Sequence, residues 1–185
     1  MYAPDSRDGT LLLGPDQSAL LVLGQLYGQL RYREYALLTG YRQLVDQGYV
    51  NPQDSRMIPN TFEGVTVGGK LGPVEYDLGY LTQIKTRNAD DFVNMAEAAG
   101  VQGRNRGLVL TSLKVAPIEC LKLYVSNALV PDVFNTAYGS AEYMYPLTDT
   151  LSLQAAIQYT DQRSIGSAFL GDFVTWNFGL RGLLL

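Results

Sequence analysis

The sequence predicts an all-β protein, an antiparallel up-and-down β-barrel of the kind that crosses a membrane, present here as about nine strands. Three observations carry the prediction. The stretch Val74–Lys85, VEYDLGYLTQIK, alternates on a period of two. Val74, Tyr76, Leu78, Tyr80, Thr82 and Ile84 share one face, and Glu75, Asp77, Gly79, Leu81, Gln83 and Lys85 the other. At 12 residues it exceeds the 5–6 typical of soluble strands and matches the roughly 9–11 a tilted strand needs to span a bilayer. Similar segments then recur along the chain. Finally, the connections alternate between short and long, as do the periplasmic turns and outer loops of membrane barrels.

The elements follow in order. Met1–Ser18 is punctuated by Gly, Pro and Asp around Leu11–Leu13, a tail, a loop or the remnant of a strand. Val22–Tyr32 sets Leu26, Leu30 and Tyr32 against Gln25, Tyr27, Gln29 and Arg31. A tight turn leads to Tyr35–Val45, with Tyr35, Leu37 and Tyr41 opposite a face holding Arg42. The long loop Asp46–Thr61 precedes Phe62–Leu71, in which Val65, Val67 and Leu71 oppose Thr66 and Lys70. Gly72-Pro73 turns into the opening strand. Thr86–Arg106 is the longest loop, and its DDFVNMAEAA predicts one or two helical turns with an acidic start and a stop at Gly100. Gly107–Ala116 and Glu119–Leu129 form a hairpin across Pro117-Ile118. Thr136–Tyr145 and Leu151–Thr160 flank a PLTD turn, and after a further loop Asp172–Leu184 places Val174, Trp176, Phe178 and Leu180 on one face.

Composition narrows the functional classes. The 185 residues suffice for one domain, 1–185, and the net charge of −4 gives no basic patch for nucleic acid. No apolar run approaches the 18 or so residues of a spanning helix; the longest is Ala19–Leu23. Tyrosine is abundant at 13, and it suits positions with one apolar and one wet side. The absence of histidine removes His metal sites, His acid–base chemistry and Ser-His or Cys-His nucleophiles. One cysteine, Cys120, makes neither an internal disulfide nor a Cys-rich metal site. No cofactor is expected. The N-terminus MYAPDSRDGT lacks the basic and apolar regions of a signal peptide, so the leader has been removed or the chain is a fragment. Alternation alone leaves open which face is inside. Strand length, aromatic residues near strand ends and charges retained on long strands favour lipid outside and an aqueous lumen inside, over a soluble barrel or sandwich.

Three stretches carry a resemblance. Tyr49–Gly64, YVNPQDSRMIPNTFEG, resembles the loop-to-strand signature of the OprD-type family of bacterial outer-membrane porins. Lys85–Gly100, KTRNADDFVNMAEAAG, is similar to that family's next long loop. Val130–Tyr138 together with Gln158–Asn177 resembles later stretches in the same order. The resemblance implies a monomeric or trimeric channel in the bacterial outer membrane, surrounded by lipid and lipopolysaccharide and inserted by the assembly machinery. It implies passage of small polar or carboxylate-bearing solutes, such as amino acids and small organic acids, through a charged constriction. Family barrels have about eighteen strands, in the size class that keeps a channel open. Nine strands and an end at LRGLLL, without a terminal aromatic, therefore imply roughly the N-terminal half of a barrel.

The functional candidates are charges on the predicted lumen face: Arg31, Arg42, Lys70, Glu75, Asp77, Lys85, Lys114, Lys122, Glu142 and Arg181. Arg42, Lys114 and Lys122 are the expected cationic ladder, with the last two facing one lumen across the Pro117 turn. The loops Asp46–Thr61 and Thr86–Arg106 are expected to fold inward. Asp90-Asp91 reads as a helix start rather than a calcium pair. Glu75 and Asp77 lie on one strand face with no partner signature, so no enzyme is expected. The alternative is a non-conducting structural or binding barrel.

Overall fold

The computed structural model describes residues 21–53, 58–87, 89–148 and 151–184; the N-terminal segment read as a tail or strand remnant lies outside them. The strands are β1 Leu26–Tyr32, β2 Ala36–Gln43, β3 Thr61–Leu71, β4 Val74–Lys85, the two-residue β5 Val93–Asn94, β6 Leu108–Ile118, β7 Leu121–Val130, β8 Phe134–Thr148, β9 Leu151–Ser164 and β10 Val174–Leu184. They form one sheet in the order β1-β2-β3-β4-β6-β7-β8-β9-β10, with β5 paired to the end of β4. Every pairing is antiparallel and joins neighbours in sequence, apart from the brief β5 excursion. Several strands run longer than predicted: β8 has 15 residues and β9 has 14.

Residues paired across strands share a face, so the register sorts the side chains. One face carries Val65, Leu78, Leu113, Val125, Ile157, Phe178 and Leu180. All are exposed, Val125 to 50% and Leu180 to 75%. The other carries a continuous polar row, Asp77–Ser112–Ser126–Tyr138–Thr160–Asn177, from β4 to β10. An unbroken apolar band of this extent on a water-facing sheet would be an association hazard, whereas against lipid it is the favoured exterior.

Toward the end of the sheet with the long loops, the polar face changes character. Leu81, Leu108, Leu110, Ala128 and Val130 project from it and are buried under Val45, Val50, Met95, Ala96 and Val101 from the 44–60 and 86–107 connections. This part of the face is a packed apolar core, whereas alternation alone predicts a wet wall. The helix within the longer connection, α1, is only Met95–Ala98. Its N-cap is Asn94, whose Oδ1 accepts from the Ala96 N–H at 2.9 Å, so Asp90-Asp91 precede the helix instead of starting it. Gly100, at φ +102, follows the C-cap.

A bulge at Leu81-Thr82 alters the sequence reading. Gly64 pairs with Leu81 but Glu63 pairs with Gln83, leaving Thr82 as an extra residue whose Oγ1 bonds the Glu63 carbonyl at 3.0 Å. Gly64 is required here, because a Cβ would run into the Tyr80 carbonyl and lie 2.7 Å from the Leu81 Cα. Past the bulge the phase of β4 reverses. Ile84 joins the inner core beside Phe62, and Lys85 turns to the opposite face. In β2, Leu38 aligns with Leu30 and Val67 on the apolar face. Leu37, Thr39 and Tyr41 therefore take the polar side, and Arg42 the other, the reverse of the faces read for this strand.

Candidate functional site

Three tiers of contacts are separated on the polar face by the chemistry of their side chains. The first is charged, and the register interleaves it with the second, Lys114 pairing with Tyr124. Glu75 sits between Lys114, 3.5 Å away, and Lys70, 4.0 Å away. Glu142 accepts from Arg181 at 3.3 Å and from the Gln154 amide at 3.4 Å, and faces Lys122 in register. Asp77 accepts from Ser112 Oγ at 3.2 Å. Arg31 lies on the same face, in register with Leu37 and through it Gly68 and Asp77. These ion-pair side chains are about half exposed, so each pair contributes at most about 1 kcal/mol to stability. Their main effect is on the field over the surface.

Of the ten candidates, eight therefore share the polar face: Arg31, Lys70, Glu75, Asp77, Lys114, Lys122, Glu142 and Arg181. Lys114 and Lys122 share it, the latter through β7 alternation with Tyr124. Two do not. Arg42 pairs with Glu63 at 3.2 Å on the opposite side, beneath the Phe92 ring at 4.1 Å and donating to the Leu23 carbonyl. Lys85 is 1% exposed next to Gly24, its Nζ donating to the Thr86 and Ala89 carbonyls. The bulge and the β2 phase put both outside the charged tier, and both tie loop segments to strand ends.

The middle tier is neutral. Tyr138 packs edge-on to Tyr49 at 5.8 Å between centroids and tilted against Tyr124 at 5.8 Å. The Tyr138 hydroxyl donates to Gln158 Oε1 at 3.2 Å, and Tyr49 hydrogen-bonds Thr160 on β9. Tyr49 belongs to the 44–60 connection, so this contact lays a loop across the polar face. Gly48 makes the close approach possible: its φ is +54, and an added Cβ would stand 2.9 Å from Ser126 Oγ. Gly48→Ala is expected to lift the loop, seen as faster proteolysis within 44–60; unchanged cleavage would refute the packing.

The third tier is a loop clasp centred on Asp132, between β7 and β8. Arg106 Nε and Nη2 donate to its Oδ2 at 3.3 and 3.1 Å, and Ser167 N–H and Oγ to its Oδ1 at 3.1 and 3.2 Å. Its carbonyl accepts from the Phe169 N–H at 2.9 Å. One aspartate thus joins the 86–107, 131–133 and 165–173 connections. The Ser167 N–H, followed by Arg106, holds its carboxyl below the ordinary 3.8. A depressed carboxylate pKa contributes stability above the unfolded value, lost as pH falls through the folded one. The clasp should therefore loosen only below about pH 4. Limited proteolysis of these loops should accelerate there, and at neutral pH in Asp132→Asn. Identical cleavage of the two proteins at neutral pH would sink the clasp.

Neither the tyrosine tier nor the clasp was recognised in the sequence. Their partners lie up to 111 residues apart, and no local pattern marks them.

A long-stranded antiparallel wall, apolar outside, charged and polar inside, with loops folded over its inner face, defines the wall of a transmembrane β-barrel channel. The comparisons with known proteins agree. The family model described as outer membrane porin, OprD family, matches residues 14–180, and the chain belongs to that family, whose members are bacterial outer-membrane channels and not enzymes. The fold matches OccAB4 of Acinetobacter baumannii with a TM-score of 0.72 at 19% identity, covering 86% of this chain and 40% of that one. It matches the outer membrane protein opdK of Pseudomonas aeruginosa with a TM-score of 0.70 at 21% identity, covering 85% and 46%. The P. aeruginosa OpdK structure with vanillate gives 0.68 at 19% identity, covering 85% and 46%. No curated protein sequence matches the chain. The chain thus spans less than half the length of these solved structures.

Proposed function

We propose that this chain supplies part of the wall of a channel for passive diffusion of small polar solutes, favouring carboxylate-bearing ones such as amino acids and small organic acids. The carrying observation is the charge balance of the first tier. Five bases (Arg31, Lys70, Lys114, Lys122 and Arg181) share a face with three acids (Glu75, Asp77 and Glu142). Among the described residues, Arg31 and Lys122 form no ion pair. A basic surplus in a narrow aqueous passage raises the local concentration of anions, while the interleaved acids keep any carboxylate from binding too tightly to leave. The OpdK structure with vanillate lends the reading support by analogy. On this reading the apolar face meets lipid and lipopolysaccharide, insertion depends on the outer-membrane assembly machinery, and the whole channel is a monomer or trimer.

The test is the reversal potential of the reconstituted channel in a salt gradient. Lys114→Gln with Arg181→Gln should shift selectivity toward cations, and Glu75→Gln should shift it toward anions. A conducting channel whose selectivity ignores all three changes would refute the assignment. A silent protein would favour a non-conducting barrel.

A further inference from the structure

We propose that the outward face of β8 seats one acyl chain of an anionic glycolipid of the outer leaflet, with the lipid's headgroup held at the loop end by Arg163 and Asn135. The inference deepens the reading that the apolar face meets lipid, and rests on it.

The register makes a furrow. Ala137, Gly139 and Ala141 are successive outward positions on β8, the only described wall strand with three small residues in a row on that face. Leu123, Val125 and Asn127 of β7 stand on one side, and Ile157, Tyr159 and Asp161 of β9 on the other. Val125, Ile157 and Tyr159 are each about half exposed, so they rise as ridges and do not fold over the floor. Strands lie about 4.8 Å apart, which sets the ridges roughly 10 Å from each other at the backbone and leaves the width of a single hydrocarbon chain between them. Ala141 to Ala137 covers about 13 Å along the strand, close to one leaflet of a bilayer with a core of about 30 Å. Beyond Ala141 the next outward residue, Tyr143, closes the furrow.

The loop end of the furrow changes chemistry as an amphiphile does. Asn127, Asn135 and Arg163 gather there, on β7, β8 and β9. Neither asparagine amide hydrogen-bonds another group among the described residues, a costly state against hydrocarbon that a headgroup's hydroxyls would relieve. Asp161 accepts from Nε and Nη2 of Arg163, both at 2.7 Å, which aims the guanidinium and leaves three of its five N–H groups for an anion. The Arg163 side chain is 53% exposed and that of Asp161 only 15%, so an approaching headgroup meets the cation before the carboxylate. Trp176, exposed beside Asp161, sits where a tryptophan marks the membrane–water boundary. A second copy of this chain laid flat on these ridges would leave the furrow unfilled and the amides unmet. A chain with an anionic, hydroxyl-bearing head satisfies both.

The experiment is native mass spectrometry of the detergent-refolded protein titrated with bis-phosphorylated lipid A, with zwitterionic phosphatidylethanolamine as the comparison. Wild type should retain one lipid A per chain and release phosphatidylethanolamine. Gly139→Leu fills the floor, where an added Cβ meets only Val125 Cγ1 at 4.0 Å, so the variant should refold yet bind lipid A about tenfold more weakly. Arg163→Gln should weaken it by a similar factor through lost charge-assisted bonds, while Val65→Leu, elsewhere on the apolar face, binds as wild type. The seat is overturned if wild type retains no lipid A, if Gly139→Leu or Arg163→Gln binds as well as wild type, or if phosphatidylethanolamine is retained equally. It is overturned too if wild type runs as an assembly of several copies that Gly139→Leu disperses, which would make this face a subunit contact. Insertion into vesicles keeps the two readings apart. A protein that inserts without retaining lipid A loses the seat and keeps its lipid-facing wall, and one that does not insert loses the wall as well.

Discussion

Ile157→Arg should abolish assembly of the protein into membranes, while Gln154→Arg on the same strand leaves it intact. Ile157 lies near the middle of β9, pairs with Ala141 and Leu180, and is 48% exposed on the apolar face. A cation on the lipid face of a barrel costs about 2–4 kcal/mol near the bilayer midplane. That is a large fraction of the roughly 5–15 kcal/mol by which proteins are stable. Gln154 projects from the opposite face beside Glu142, where an arginine finds water and a carboxylate partner. The readout is the fraction recovered in outer membranes, with heat-modifiable gel mobility as the fold check. Equal recovery of the two variants would mean that the apolar face does not meet lipid.

The second large effect concerns the inner core. Leu81 is fully buried, in register with Gly64 and Leu108 at the bulge, within the cluster that seats the loops. Leu81→Ala should destabilise the protein by about 2–5 kcal/mol, the transfer cost plus that of the cavity left behind. Leu180→Ala, at 75% exposure on the lipid side, should change far less in detergent. Urea unfolding of refolded protein measures both. A Leu81→Ala midpoint close to that of Leu180→Ala would show that the loops are not anchored by this core.

The same bulge shows where reading by alternation stops. Strict period two correctly sorts Val74 to Leu81, and Ser152 to Thr160 within β9, because the pairing of neither stretch shifts register. It fails at Lys85 because one extra residue flips every later side chain, and the chain carries no local sign of it except a glycine on the partner strand. Arg42 was misplaced for a related reason. Tyr35, Leu37 and Tyr41 look like an apolar stripe, yet pairing with β1 and β3 puts Leu38 on the lipid side. The register of a strand is decided by its neighbours, and a mixed sequence such as ALLTGYRQ satisfies either choice.

Strand existence, hairpin order and the apolar band follow from the sequence alone, because alternation and turn residues act over a few positions at a time. So does the charged tier on β3, β4, β6, β7, β8 and β10, since Lys70, Glu75, Lys114, Lys122, Glu142 and Arg181 keep phase with regular strands. The tertiary structure alone decided that three connections converge on Asp132, that Tyr49 reaches Tyr138 and Thr160, and that leucines on the polar face are dry. Each of these depends on where a loop comes to rest. That is set by packing between residues far apart in the chain, which no short-range pattern encodes.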